Sequence, residues 1–246
     1  MEMFQRNECS ILDTFEPPDL TIVIPSLREA DNLRILIPQI HSLLRPLSLK
    51  VEIIVVDELA DEETRSVVTG NRAILLSPDT RGYGSALQAG LSSARSDYVV
   101  SMDADLSHPP DFLIQLWEAR QKADIIIASR YVPGGQADMP RSRMILSRIL
   151  NTFFGLGLGM KVRDMSSGFR LYSKKAIFTQ DARSKDFNML QELLVRAALH
   201  GCSIAEIPFA YRPRIHGSSH ARVFKFGISY LKTFLSLRRL RVSEKW

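Results

Sequence analysis

Asp103 and Asp105 close an apolar run, Tyr98 to Met102, within the stretch D-Y-V-V-S-M-D-A-D-L-S-H-P-P-D. In an extended segment, side chains two residues apart share one face. Two carboxylates on one face at the end of a buried strand can hold a hard divalent cation, and such a cation keeps positions open for phosphate oxygens. Alone, a D-x-D pair more often marks ordinary solvated carboxylates. The setting gives this pair its meaning: it follows a strand, precedes Pro109-Pro110, and falls in register with other apolar runs that end in polar groups. Those ends carry Pro25 to Glu29, Asp57-Glu58 and Arg130. A cation and a diphosphate at the carboxyl edge of an open sheet make a nucleotide site.

The elements that must position these groups alternate. Leu20–Pro25, Val51–Val56, Ala73–Leu76, the run before Asp103, and Asp124–Ser129 read as five strands with near-continuous apolar character. Between them lie helical spacings over Glu29–Leu44, Asp61–Thr69, a segment opened by Arg81-Gly82-Tyr83-Gly84 and running to Arg95, and Phe112–Lys122. Such an alternation predicts a mostly parallel sheet covered on both faces, with functional groups at the carboxyl ends. The second half is less regular. Met139–Met160 mixes Arg141, Arg143 and Arg148 with apolar residues; Ser166–Tyr172 reads as strand or turn; Met189–Leu199 reads as an amphipathic helix. Cys202–Tyr211 reads as a further strand, with Pro208 favouring an edge.

At 246 residues with 45% hydrophobic and 24% charged residues, one large α/β domain is expected and disorder is not. Cys9 and Cys202 make no metal spacing and read as reduced thiols. Residues 1–19 read as a flexible lead-in without a signal peptide, and no segment reaches the roughly 20 apolar residues of a spanning helix. Charge is uneven. Residues 211–246 hold nine Lys and Arg against Glu244, a balance of +8 in a chain of +5, so residues 1–210 sum to −3. No aromatic stacking motif or recognition helix accompanies the basic tail, so a nucleic-acid partner is not expected. An anionic membrane surface or substrate phosphates fit better. From Arg222 to Arg241 a polar stripe, Lys225, Ser229, Lys232, Ser236 and Arg239, faces away from a broad apolar side. This is either an interfacial helix or a helix docked on the core.

Several motifs then fall in one order: P-S-L-R-E-A-D-N-L (25–33), V-V-D-E-L-A-D-E-E-T (55–64), R-G-Y-G-S-A (81–86), D-A-D-L-S-H-P-P-D (103–111), A-S-R-Y (128–131), R-D-M-S-S-G-F-R (163–170) and Y-R-P-R-I-H-G-S-S-H (211–220). Over about residues 20–235 the chain resembles the family 2, GT-A fold glycosyltransferases, in the dolichyl-phosphate mannosyltransferase and polyprenyl-phosphate glycosyltransferase branch. The resemblance implies a Rossmann-like α/β domain over residues 20–220, followed by a basic amphipathic C-terminal helix over 221–246. It implies inverting, metal-dependent transfer of a sugar from a nucleotide-sugar to a polyprenyl phosphate, with mannose from GDP-mannose the first expectation and Mg2+ or Mn2+ the cofactor. On this pattern Pro25, Leu27, Glu29, Val56 and Glu58 line the base and ribose pocket. Asp103, Ala104 and Asp105 hold ribose, metal and diphosphate, and Ser107 can add a metal ligand. Arg130, Arg214 and His220 approach the donor phosphates or reacting centre, with Asp105, Arg130 and Arg214 as the catalytic set. Arg143, Ser167 and Glu192 fall on the acceptor side.

The chain departs from the usual pattern at Asp57-Glu58-Leu59-Ala60, where D-D-G-S is usual, at Leu27-Arg28, and at His220 in place of Lys. These changes point to another donor such as UDP-glucose, a hydroxyl acceptor, or a non-catalytic nucleotide-sugar-binding subunit as the alternatives. A peripheral location on the cytoplasmic face of a membrane is expected, with any spanning subunit a separate polypeptide.

Overall fold

A computed structural model describes residues 16–178, 182–211 and 223–243. Its centre is a seven-stranded sheet: β1 (Leu20–Ser26), β2 (Val51–Asp57), β3 (Ile74–Leu76), β4 (Tyr98–Ser101), β5 (Ile125–Ser129), β7 (Arg170–Ser173) and β8 (Ile204–Pro208), in the order β3-β2-β1-β4-β7-β5-β8. β7 runs antiparallel to both neighbours, and every other pairing is parallel. Two short strands, β6 (Gln136–Ala137) and β9 (Ala210–Tyr211), form a separate parallel ribbon. The expected mostly parallel sheet is therefore present, and Pro208 does lie on an edge strand.

Period-two alternation splits the core between the two faces. Ile22 and Ile24 of β1 pack with Leu33, Leu36, Ile37 and Ile40 of α1 (Ala30–Leu44), Val67 and Val68 of α2 (Glu62–Gly70), and Leu113 and Leu116 of α4 (Phe112–Ala119). Val23, between them, points to the other face. There it joins Leu87 and Leu91 of α3 (Tyr83–Ser93), Phe154 of α5 (Arg141–Gly157), Leu193 and Leu194 of α6 (Met189–Leu199), and Phe234 and Leu237 of α7 (Val223–Ser243). α7 thus gives one face to the core. Among the described residues no helix is long and apolar enough to cross a membrane.

Three local devices fix the edge that matters. Asp61 caps α2 by accepting from the Thr64 backbone N–H at 2.8 Å, with Glu62 and Glu63 in the positive first turn. Pro25 sits late in β1, beyond the Val23–Ser101 register where β4 ends, so its missing N–H breaks no bond to β4. Gly90 lets α3 lie directly on β1 and β2: a Cβ there would stand 2.2 Å from Val23 Cγ1 and 3.1 Å from Val56 Cγ2. Gly90→Ala gains about 1 kcal/mol of helix propensity but forces overpacking that costs about 1–3 kcal/mol. A net loss of stability is expected in denaturant titration, and a gain would mean the contact is looser than it looks.

The antiparallel β7 has a topological consequence. Ser101 pairs with Arg170, so β7 begins where β4 ends, and the segment ahead of it is delivered to the carboxyl edge.

Candidate active site

β4 stops at Ser101, and the Met102 N–H still donates to Val23 O at 3.0 Å before the chain leaves the sheet. The turn that follows is built by its own acid. Asp105 Oδ1 accepts from the Ser107 N–H at 3.0 Å, while Leu106 between them adopts φ +61°. A bulky residue in the left-handed region is strained, and such strain persists only where surroundings impose it. Arg28 and Ala60, on the loops after β1 and β2, share that conformation. Asp105 is buried, whereas the Asp103 side chain remains 27% exposed.

Asp103 is held from three sides. Tyr83 donates its phenol to Oδ1 at 3.3 Å, and His108 Nε2 lies 3.7 Å from Oδ2. The Asp103 N–H donates to His108 Nδ1 at 2.9 Å. An accepting Nδ1 requires its proton on Nε2, the nitrogen that faces the carboxylate. The His108 ring stacks on Phe169 at 4.8 Å. Desolvation and then the Asp103 charge push the Tyr83 phenol well up, so it stays a proton donor. Gly168 closes the third side: a Cβ there would stand 2.6 Å from Tyr83 Oη and 3.3 Å from Asp103 Oδ1, and its carbonyl accepts from Ser101 Oγ at 2.6 Å. Neither Tyr83 nor His108 was singled out for chemistry from the sequence. Tyr83 stands in the segment that opens a helix, and His108 stands between the D-x-D pair and Pro109-Pro110.

Three buried oxygens at this edge have no hydrogen-bond partner among the described residues: Ser107 Oγ, Ser26 Oγ and Asp57 Oδ2. Ser26 and Asp57 are register partners at the ends of β1 and β2. Buried polar atoms are normally satisfied, and these three oxygens are open to a bound group. Among the described residues no three His, Cys, Asp or Glu side chains gather around a metal position. The available donors are instead two carboxylates and one orphaned hydroxyl, all oxygen. That set fits a Mg2+ or Mn2+ ion whose remaining ligands come from phosphate, not a closed structural site.

Asp57, read from the sequence as a strand-end acid, explains how Asp57-Glu58-Leu59-Ala60 turns without glycine. Its Oδ1 accepts from the N–H groups of both Leu59 and Ala60 at 2.9 Å, leaving Oδ2 to face the edge. Glu58 is half-buried and accepts from the Gly82 N–H, tying β2 to the start of α3. Leu27 is 50% exposed at the rim, and Glu29 accepts from Asn32 Nδ2 at the head of α1. Val56 differs from its expected role: its side chain is fully buried beneath Gly90, so only its backbone reaches the strand end. Ala104 is likewise buried in the turn.

Arg130 stands at the end of β5, but its guanidinium is engaged. Nε and Nη2 donate to the two Asp164 oxygens at 2.8 and 2.7 Å, and Nη2 also donates to Ser166 Oγ at 2.9 Å. Asp164 is fully buried. Burial alone would raise its pKa, yet the Arg130 hydrogen bonds and charge hold it below the usual carboxylate range. Burial likewise opposes the charge on Arg130, and Asp164 overrides it. Among the described residues no acceptor meets Nη1.

The acceptor-side residues separate. Ser167 is buried beside Gly168 and accepts from the Phe169 N–H at 3.4 Å; Arg143 lies exposed in the first turn of α5. Glu192 is buried, accepting from the N–H groups of Arg183 and Ser184 at 3.0 and 2.9 Å and from Arg196 Nε at 3.0 Å. Burial pushes its pKa up, but these hydrogen bonds together bring it below the ordinary value. It therefore clamps the 183–184 backbone, and the next residues cover the start of α3: Lys185 O accepts from Gly84 N, and Phe187 stacks on Tyr83 at 4.3 Å. Glu192→Gln leaves Arg196 without its countercharge, and a loss of about 1–3 kcal/mol is expected in denaturant titration. An unchanged midpoint would show the clamp to be idle. Arg214, His216 and His220 lie outside the described residues.

Residues 21–178 match Glycosyl transferase family 2. The chain is 32% identical over 224 residues to the polyprenol monophosphomannose synthase of Mycolicibacterium smegmatis, covering 84% of this chain and 82% of that protein. It is 28% identical over 226 residues to the low-salt glycan biosynthesis hexosyltransferase Agl6 of Haloferax volcanii, covering 89% of this chain and 53% of that one, so it spans about half of that relative. Among solved structures, glucosyl-3-phosphoglycerate synthase from Mycobacterium tuberculosis in complex with Mn2+, uridine-diphosphate and glucosyl-3-phosphoglycerate superposes with a TM-score of 0.66 at 20% identity, over 89% of this chain and 80% of that one. At that identity the likeness establishes the shared fold.

Proposed function

The chain belongs to glycosyl transferase family 2, and from that premise we propose that it moves mannose from GDP-mannose to a polyprenyl phosphate with inversion at the anomeric carbon. The donor diphosphate lies at Asp103 and Asp105, whose carboxylates, with Ser107 Oγ, would hold a Mg2+ or Mn2+ ion. When bound, that ion supplies Lewis-acid neutralisation of the charge growing on the leaving diphosphate. Asp57 Oδ2 accepts an N–H of the donor base. Arg130 presents Nη1 to phosphate while Asp164 fixes its plane, and Arg143 adds cationic screening from α5. An acceptor phosphate oxygen attacks the anomeric carbon opposite the diphosphate; the new C–O bond forms as the bond to the nucleoside diphosphate breaks.

One observation carries the choice of acceptor. A hydroxyl acceptor must lose a proton to a base within reach. Glu192, the acid that the family resemblance puts on the acceptor side, is engaged by two backbone N–H groups and Arg196, and its depressed pKa makes it a poor base. A phosphate monoester is already ionised near neutrality and needs positioning alone. Mannose and a polyprenol both stand in the name of the 32% identical relative, which supports this reading.

Calorimetric titration of the full chain with GDP-mannose and with UDP-glucose, each with Mn2+, tests the donor. Tighter, metal-dependent binding of GDP-mannose is expected. Preference for UDP-glucose would replace the proposed donor, with Glu58 and its tie to Gly82 as the first determinant to vary.

A further inference from the structure

The turn that opens α3 is occupied by protein. The N–H groups of Gly84 and Ser85 both donate to Lys185 O, at 2.7 and 3.2 Å. Gly82, at φ +119°, and Gly84 make room for that segment: a Cβ would stand 2.3 Å from Lys185 O at the first and 2.7 Å from Asp186 O at the second. N–H groups taken in this way do not cradle phosphate as a free helix start can. What the turn offers the site is the side chain between its two glycines.

Separate elements aim that side chain at Asp103. Phe187 stacks on the Tyr83 ring, with centroids 4.3 Å apart and planes 14° from parallel. The phenol then meets Asp103 Oδ1 at 3.3 Å. Gly168, in the turn ahead of β7, faces both partners: a Cβ there would overlap the phenol oxygen at 2.6 Å and crowd Asp103 Oδ1 at 3.3 Å. The contact between Tyr83 and Asp103 therefore depends on residue 168 having no side chain. Ser101 Oγ donates to Gly168 O at 2.6 Å and so fixes this opening to the end of β4, two residues before Asp103.

Packing alone does not hold the Asp103 carboxylate, which is 27% exposed. His108 Nε2, at 3.7 Å from Oδ2, is too far to share the task. Among the described residues Tyr83 is the only side chain that donates to this carboxylate within hydrogen-bond distance. One donor on Oδ1 sets the plane of the carboxylate and leaves its other lone pairs open to a cation. Partners of this kind, one step removed from the ion, orient the groups that ligate it.

We propose that Tyr83 is a positioning residue for the transfer reaction: its phenol fixes the plane of Asp103 for the divalent cation of the donor complex, and Gly168 is the opening through which it reaches. This rests on the reading that Asp103 holds that cation, and it is independent of which sugar is moved.

The test is calorimetric titration of Mn2+ into the full chain beside saturating GDP, and again beside UDP so that the choice of nucleotide does not decide the outcome, with no acceptor present. Tyr83→Phe keeps the ring and its stack on Phe187 and removes the hydroxyl. It should bind Mn2+ about 10-fold more weakly with an unchanged far-ultraviolet circular dichroism spectrum. Gly168→Ala should lose a similar factor by displacing the phenol. In the double variant there is no phenol oxygen to displace, so the combined loss should stay at about 10-fold and not reach the about 100-fold of independent effects. Should Gly168→Ala not fold, Tyr83→Phe decides alone. Wild-type Mn2+ affinity in Tyr83→Phe would overturn the proposal, as would losses that multiply in the double variant or a wild-type chain that binds no Mn2+ beside either nucleotide. A wild-type chain that binds Mn2+ beside GDP yet transfers no mannose would instead defeat the proposed function and leave the role of Tyr83 standing.

Discussion

Asparagine in place of Asp105 is expected to leave the protein folded and to cut sugar transfer by about 10²- to 10³-fold, the usual cost of removing one preorganised charge-stabilising group. The two halves of that expectation come from different atoms. Oδ1 of Asp105 accepts from the Ser107 N–H, and an asparagine oxygen can do the same, so the turn at Leu106 survives with a stability change below about 1 kcal/mol. What disappears is the negative charge at a buried position. Rates measured across a Mn2+ series should show the variant requiring far more metal. A variant with normal turnover and normal metal dependence would remove Asp105 from the site.

Asp164→Ala should produce the largest loss of stability, about 3–5 kcal/mol, because it strands a desolvated guanidinium. Its partner side chain Arg130 is only 12% exposed. The sign with pH follows from the depressed carboxyl. The pair's contribution is fully present above the unfolded aspartate value, about 3.9, and is lost as pH falls through the folded value. The wild-type chain should therefore show a steeper acid limb of destabilisation than the variant, in which Glu192 still contributes its share. Replacing both partners, Arg130→Met with Asp164→Leu, should recover much of the stability, since a packed apolar pair of similar volume is often as stable as a buried ion pair. If Arg130 also meets phosphate, that double variant stays inactive. A stable and active double variant would reduce Arg130 to a structural role.

How far the sequence reaches is visible in particular residues. The runs ending at Pro25, Asp57, Asp103 and Ser129 announce buried parallel strands, because a strand covered on both faces must be apolar throughout. β7 announces itself only as a strand or turn over Ser166–Tyr172, with nothing to mark it as antiparallel. It opens with Arg170, which is fully buried, and its guanidinium is made tolerable by Leu190 O and Met165 O at 2.7 Å. Carbonyls from other elements are invisible to any local pattern. The same holds for the site. The carboxylate pair at Asp103 and Asp105 is legible as a motif, whereas the engagement of Arg130 by Asp164 and of Glu192 by Arg183, Ser184 and Arg196 depends on how the chain returns to the edge. The missing glycine after Glu58 reads as a changed turn. The turn is kept because the Asp57 side chain satisfies two backbone N–H groups, with Ala60 accepting φ +45°.

The most direct test of the central claim is to incubate the full chain with radiolabelled GDP-mannose, Mn2+ and a polyprenyl phosphate, then to count label extracted into organic solvent. Label that accumulates with the wild-type chain, vanishes with a chelator, and is absent with Asp105→Asn is the predicted result. A chain that binds GDP-mannose tightly yet moves no label to the lipid, with the metal present, would contradict it.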